Sequence, residues 1–157
     1  LVAVGTFGGM LGGLTSAGGT DGVVVALDSG LVTQWIKQMG GTGNDTLVDV
    51  AYIGMNVVAV GTFAGSATTT GASDSAVSQG GTDAIVLSFG PTGFFFGQQA
   101  LGGAGNDAAF ALGGAPGQGI GWVAGAYGAA WTASGSTTFD ALGGLDAFWA
   151  QIFAAGG

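Results

Sequence analysis

Apolar residues along this chain come in short unbroken runs, not in stripes. VVVAL at Val23 to Leu27, VVAV at Val57 to Val60 and AIVL at Ala84 to Leu87 each end at or near Gly, Asp, Ser or Thr. No stretch repeats its apolar positions every 3.6 residues between helix caps, so no helix is predicted. Short apolar runs bounded by turn residues predict strands buried on both faces, as in small sheets stacked face to face. Between Gly40 and Leu101 the pattern predicts four of them: Asp45 to Ile53, Val57 to Phe63, Asp83 to Phe89 and Phe94 to Leu101. Gly54 to Asn56 and Gly90 to Gly93 read as tight turns, and the Ser/Thr/Gly/Ala segment from Ala64 to Gln79 reads as a loop.

The pattern then repeats. GGTGND at Gly40 to Asp45 returns as GGAGND at Gly102 to Asp107, 62 positions on. GGTD at Gly18 to Asp21 returns at Gly80 to Asp83, and again as GGLD at Gly143 to Asp146. VAVGTF at Val2 to Phe7 returns at Val58 to Phe63, and as WVAGAY at Trp122 to Tyr127. A period in this range marks one supersecondary unit copied along the chain, each copy burying its apolar faces on its neighbours. Four-stranded units arrayed in this way are β-propeller blades. The expected fold is all-β, a β-propeller-like array of about two and a half blades. Residues 1–39 would supply strands two to four of one unit, 40–101 a complete unit, and 102–157 strands one to three of another, about ten strands in all. The third strands, at Val23 to Leu27, Ala84 to Leu87 and Ala147 to Gln151, are expected to be well buried.

Composition narrows the chemistry. Glycine supplies 36 of 157 residues against a usual ~7%, without a collagen period, as expected for many tight turns. Only ten residues are charged, where about 39 would be typical for this length. All nine acids are Asp, and Lys37 is the single base. The net charge of −8 argues against nucleic acids and anionic membranes as partners, which need basic patches. No apolar run approaches the ~20 residues of a membrane-spanning helix. Absence of Cys excludes a disulfide framework, and absence of His and Cys leaves no conventional nucleophile–base pair.

The stretch GGTDGVVVALDSGLVTQWIKQMGGTGNDTLVDVAYIGMNVVAVGTFAG resembles the bacterial β-propeller repeat family known as SBBP repeats. The similar features are the GG-x-D strand start, the turn at Asp28 to Gly30, Trp35 followed by Lys37 and Gln38, the GG-x-G-x-D turn and the V-x-V-x-G-T-F strand. The chain departs from the family at Asn56, where IGMN stands in place of a D-x-x-G-N turn, and at Gly113 to Gly121, where GGAPGQGIG replaces that hairpin. The resemblance implies a secreted or surface-attached bacterial protein more than it implies an activity.

Candidate sites follow from the repeated residues. GGTGNDTLV at Gly40 to Val48 matches a calcium-binding nonapeptide, which would make Asp45 and Asp107 ligands for Ca²⁺. Such a site needs adjacent nonapeptides, and here the next copy is 62 residues away. A turn in which Gly adopts positive φ and Asp accepts backbone N–H groups is the stronger expectation. Asp21, Asp83 and Asp146 hold one place in every copy, which points to a structural turn, with a carboxylate ring for a cation as the alternative. Trp35 and Trp149 are expected to pack between blades, leaving Trp131, in the third variable loop, as the ring to face a ligand such as a glycan. Asp45 and Asp49, two of one strand's residues four apart, would share one face, the one spacing open to glycosidase chemistry. The cluster Ser66, Thr68, Thr69 and Thr70 offers O-glycan acceptors.

Three functions are compatible with this inventory. The first is a non-enzymatic extracellular structural or assembly module, partnered by further blades of its own polypeptide or by copies of itself in a fibre, surface layer or matrix. The second is a lectin-like propeller binding carbohydrate through its variable loops. The third is a propeller-based polysaccharide lyase or glycosidase. Two and a half blades would leave apolar faces and strand edges open, so the chain is expected to be part of a longer polypeptide or of an assembly.

Overall fold

The computed structural model describes residues 1–114, 117–132 and 138–153, and every regular element among them is a β-strand. In chain order these are β1 (Val2–Phe7), β2 (Met10–Leu11), β3 (Leu14–Thr15), β4 (Asp21–Leu27), β5 (Thr33–Gly41), β6 (Thr46–Ile53) and β7 (Asn56–Thr69). There follow β8 (Ala76–Phe89), β9 (Phe95–Leu101), β10 (Ala108–Gly114), β11 (Ile120–Tyr127), β12 (Trp131–Thr132), β13 (Thr138–Phe139) and β14 (Asp146–Phe153). Ten strands have six or more residues, and the other four form two-residue hairpins within connections. Residues 115 and 116 of the Gly113–Gly121 connection and residues 133–137 of the third variable loop lie outside the described residues.

Three antiparallel meanders carry the fold. The first is β1-β4-β5, the second β6-β7-β8-β9 and the third β10-β11-β14. The first two are also hydrogen-bonded to each other where Met39–Gly41 of β5 meets Ala67–Thr69 of β7, making one seven-stranded sheet. The second meander lies between the other two. Along β7 and β8, Val57, Ala59, Ile85, Leu87 and Phe89 pack with Val24 and Met39 of the first. The intervening Val58, Val60, Ala84 and Val86 pack with Val123, Phe148 and Ile152 of the third. This two-residue alternation explains the unbroken apolar runs, because successive side chains enter different cores. Burying a side chain such as Phe63 or Phe89 is worth roughly 1.5–3 kcal/mol over leaving it exposed, and both are fully buried here.

The segment expected to be a loop is mostly strand. β7 runs on to Thr69 and β8 begins at Ala76, so Ala64–Ala67 and Ala76–Thr82 form the arms of a twisted hairpin. Ser, Thr, Ala and Gly lack the apolar signature of a strand, but the ladder is made by the backbone, which these residues do not obstruct. One of the third strands also differs from expectation. Residues of Ala84–Leu87 are all buried, whereas along β14 Phe148 and Ile152 are buried and Ala147, Trp149 and Gln151 are exposed. β14 is covered on one face alone, so half of its side chains face outward.

Candidate functional site

Five aspartates recur at the turns, and four of them, Asp21, Asp45, Asp83 and Asp107, build the junctions between the meanders. Each accepts a backbone N–H from four residues earlier: Ala17 to Asp21 at 3.1 Å, Gly41 to Asp45 at 2.8 Å, Gln79 to Asp83 at 3.1 Å, Gly103 to Asp107 at 2.7 Å and Leu142 to Asp146 at 2.7 Å. A carboxylate bonded in this way fixes a turn that Gly alone would leave loose. Asp45 and Asp107 take a second N–H through Oδ1, from Ala64 at 3.0 Å and Gly128 at 2.9 Å. They thereby close the open end of the strand pairs β6–β7 and β10–β11.

The GGTD segment of one meander is clasped by the GG-x-GND turn of the next. Gly19 N–H bonds Gly43 O at 3.0 Å and Asp45 N–H bonds Thr20 O at 2.7 Å. Sixty-two residues on, Gly81 N–H bonds Gly105 O at 2.9 Å and Asp107 N–H bonds Thr82 O at 2.6 Å. Close approach explains the glycines. A Cβ on Gly18 or Gly80 would lie 2.4 Å from backbone atoms of the opposing turn, and one on Gly40 would lie 2.3 Å from Asp21 Cγ. Sequence reading found these residues but not their pairing, since turns of different units gave no sign that they meet.

Each clasp holds two buried carboxylates, Asp21 with Asp45 and Asp83 with Asp107. Burial pushes the Asp45 carboxyl above its ordinary range; the N–H groups of Ala64 and Gly41 pull it back, and the nearby Asp21 charge adds to the rise. Burial likewise raises Asp83, opposed by the Gln79 N–H and reinforced by Asp107. Asp21 Oδ1 and Asp83 Oδ1 are buried without a hydrogen-bond partner among the described residues, while Asp21 Oδ2 also accepts from the Gln38 side-chain amide. No group of three or more metal-capable side chains occurs among the described residues. The aspartates hold backbone N–H groups, joined at Asp21 by the Gln38 side-chain amide.

Asp45 and Asp49 do not form a carboxylate pair. A bulge between Leu47 and Asp49 breaks the alternation of β6, and Asp45 precedes the strand. Asp49 reaches the third meander instead, its Oδ2 accepting the Leu112 N–H at 2.7 Å.

Two tryptophans change places relative to expectation. Trp131 does not face solvent: it is 6% exposed, stacked on Phe139 at 4.9 Å and edge-on to Phe148 at 5.8 Å. An aromatic in a Gly/Ala/Ser/Thr loop reads as exposed, but the β12–β13 hairpin folds this ring into the core. Trp149 does not pack between meanders: it is 68% exposed, on the outer face of the third, beside Trp122 at 5.2 Å. Trp35 does pack between the first two meanders, 5.8 Å from Phe89, and its indole N–H bonds Pro91 O at 3.1 Å. Of the expected O-glycan acceptors, Ser66, Thr68 and Thr70 are exposed. Thr69 is buried and donates its hydroxyl to Gln98 Oε1 at 2.7 Å, so it is not open to a transferase.

The outer face of the third meander carries a shallow groove of about 630 Å³ lined by Ala111, Leu112, Gly113, Trp122, Val123, Ala124 and Trp149. Among these described lining residues, the indole N–H groups are the only polar side-chain atoms. Among the described residues no helix is long and apolar enough to cross a membrane. No protein-family model matches the chain, and no curated protein is detectably similar to it in sequence.

Proposed function

We propose that this chain is a non-enzymatic extracellular structural module, a propeller-like array of repeated sheets that serves as part of a larger protein or as a subunit of a fibre, surface layer or matrix. One observation carries the reading: the repeated residues of the sequence are spent on joining sheet to sheet. Each oxygen of Asp45 and Asp107 accepts a backbone N–H, and the glycines around them are packed against neighbouring backbone and side chains. Buried carboxylates occupied in this way are poorly placed to act as general acid and base, which need reach to a substrate proton. The resemblance to SBBP repeats favours the extracellular location.

The carbohydrate-binding alternative loses its best ring in the burial of Trp131. The exposed Trp122 and Trp149 could stack on sugar, but their groove has almost nothing to bond sugar hydroxyls, and sugar sites need convergent polar groups. The reading is tested by fractionating the producing cells and locating the chain with an antibody. Recovery in a high-mass surface or matrix fraction is expected, and recovery as a free cytosolic species would contradict it. A glycan array with a Trp122→Ala/Trp149→Ala control decides the alternative.

A further inference from the structure

The meanders have two kinds of face, and each kind covers the other twice within the chain. Val2, Val4 and Val24 of the first correspond in the repeat to Val58, Val60 and Val86 of the second and to Trp122, Ala124 and Trp149 of the third. The first set packs toward the second meander, and the second set packs against the third. The opposite faces correspond as well. Ala59 and Leu87 of the second meander and Val123 and Ala150 of the third match Ala3 and Val25 of the first. Ala59, Leu87 and Val123 are wholly buried in these contacts, with Ala150 packed at the edge of the core.

This leaves one face of each kind without a sheet stacked on it. On the third meander, Trp122 and Trp149 are 45% and 68% exposed and Ala124 is exposed. On the first, Ala3 is exposed and Val25 partly so, while the β2–β3 hairpin lies over one end of the face, with Gly12 beside Ile36 and Thr15 O accepting from the Gln38 amide, and Val23 is buried. Both faces are mainly apolar, broken by Gln151 opposite Trp122 on the third meander and by Gln38 opposite Val23 on the first, and both continue an interface already formed twice. Building on the structural reading above, we infer that the Trp122–Trp149 face docks on the Ala3–Val25 face of a second copy of this chain, head to tail. The substitutions suit this role. Where the internal contacts use three valines, the outer face uses two Trp in ring contact and one Ala. Trp, with Tyr and Arg, is enriched among the residues that anchor protein interfaces. The near absence of polar groups in the groove favours a sheet face over a sugar. Because the two surfaces differ, the contact is heterologous and generates a ring if it closes and a filament if it does not.

The test uses the full chain and two surface variants, Trp122→Ser/Trp149→Ser and Ala3→Arg, each checked for the wild-type circular dichroism spectrum. Sedimentation velocity over a hundredfold range of concentration should show the wild type associating and each variant alone monomeric. Mixed, the variants should form a one-to-one heterodimer, because each retains the face the other has lost. If the wild type assembles and either variant assembles equally well, the docking faces are wrong while the structural reading survives. The same holds if the mixture stays monomeric. A wild type that is monomeric throughout would overturn the docking proposal and the fibre-subunit form of that reading, leaving the module as part of a larger protein. If either variant misfolds, Ala124→Arg or Val25→Lys replaces it on the same face, with the same outcomes.

Discussion

Replacing Asp107 with alanine removes the acceptor of two backbone donors at once. Asp107 is 1% exposed, and its oxygens receive the N–H groups of Gly103 at 2.7 Å and Gly128 at 2.9 Å. A buried donor left unsatisfied costs about 1–3 kcal/mol, so the pair costs about 2–6 kcal/mol. Loss of the Asp107 charge also relieves Asp83 beside it, which moves the expected value toward the lower end of that range. Against a domain stability of about 5–15 kcal/mol this is a large fraction. Urea denaturation followed by far-ultraviolet circular dichroism at neutral pH measures it, with Asp74→Ala as the exposed control, expected within about 0.5 kcal/mol of wild type. Asp45→Ala should behave like Asp107→Ala, because Gly41 and Ala64 stand in the same relation to it. If the Asp107→Ala midpoint moves no further than that of Asp74→Ala, the clasps are not what joins the meanders.

Acidification from pH 7 toward pH 4 should raise Tm. The folded state holds the protons of Asp45 and Asp83 more tightly than the unfolded chain does, so their stabilising contribution is full below about pH 3.8 and lost as pH rises through the raised values. A Tm that falls steadily over that interval would contradict the assignment. Asp83→Asn keeps an acceptor for the Gln79 N–H while removing the like charge, so it should stabilise at pH 7 and flatten the pH profile; unchanged slope counts against it. Gly40→Ala should destabilise markedly, since its Cβ would meet the Asp21 carboxylate, whereas Gly97→Ala meets nothing within 4 Å and should be neutral in the same melts. Trp131→Ala should cost about 3–5 kcal/mol as a core truncation, while Trp149→Ala leaves the thermal stability of the monomer nearly unchanged.

The repeat and the positions of the longer strands were legible because Gly and Asp punctuate them at a fixed spacing. The stacking of sheets was legible from runs such as Ala84 to Leu87, apolar on both faces. What those runs hid is which core each residue enters, because alternation between two apolar environments leaves no mark on the pattern. The arms of the β7–β8 hairpin were missed since Ser66, Thr68 and Gln79 carry no apolar signal and their pairing rests on the backbone. Bulges such as that at Leu47–Asp49 likewise have no sequence signature, and this one separated Asp45 from Asp49. The exchanged roles of Trp131 and Trp149 had a usable signal in the repeat itself. Trp149 stands in register with Val86, on the face opposite that of Phe148 and Ile85, so its side of the sheet followed from the alignment of copies.

Electron microscopy of the concentrated chain shows whether its copies join. Head-to-tail docking gives rings or filaments in which every copy meets two neighbours, through its Trp122–Trp149 face and its Ala3–Val25 face. Fields of dispersed 15.0 kDa particles at every concentration would contradict it.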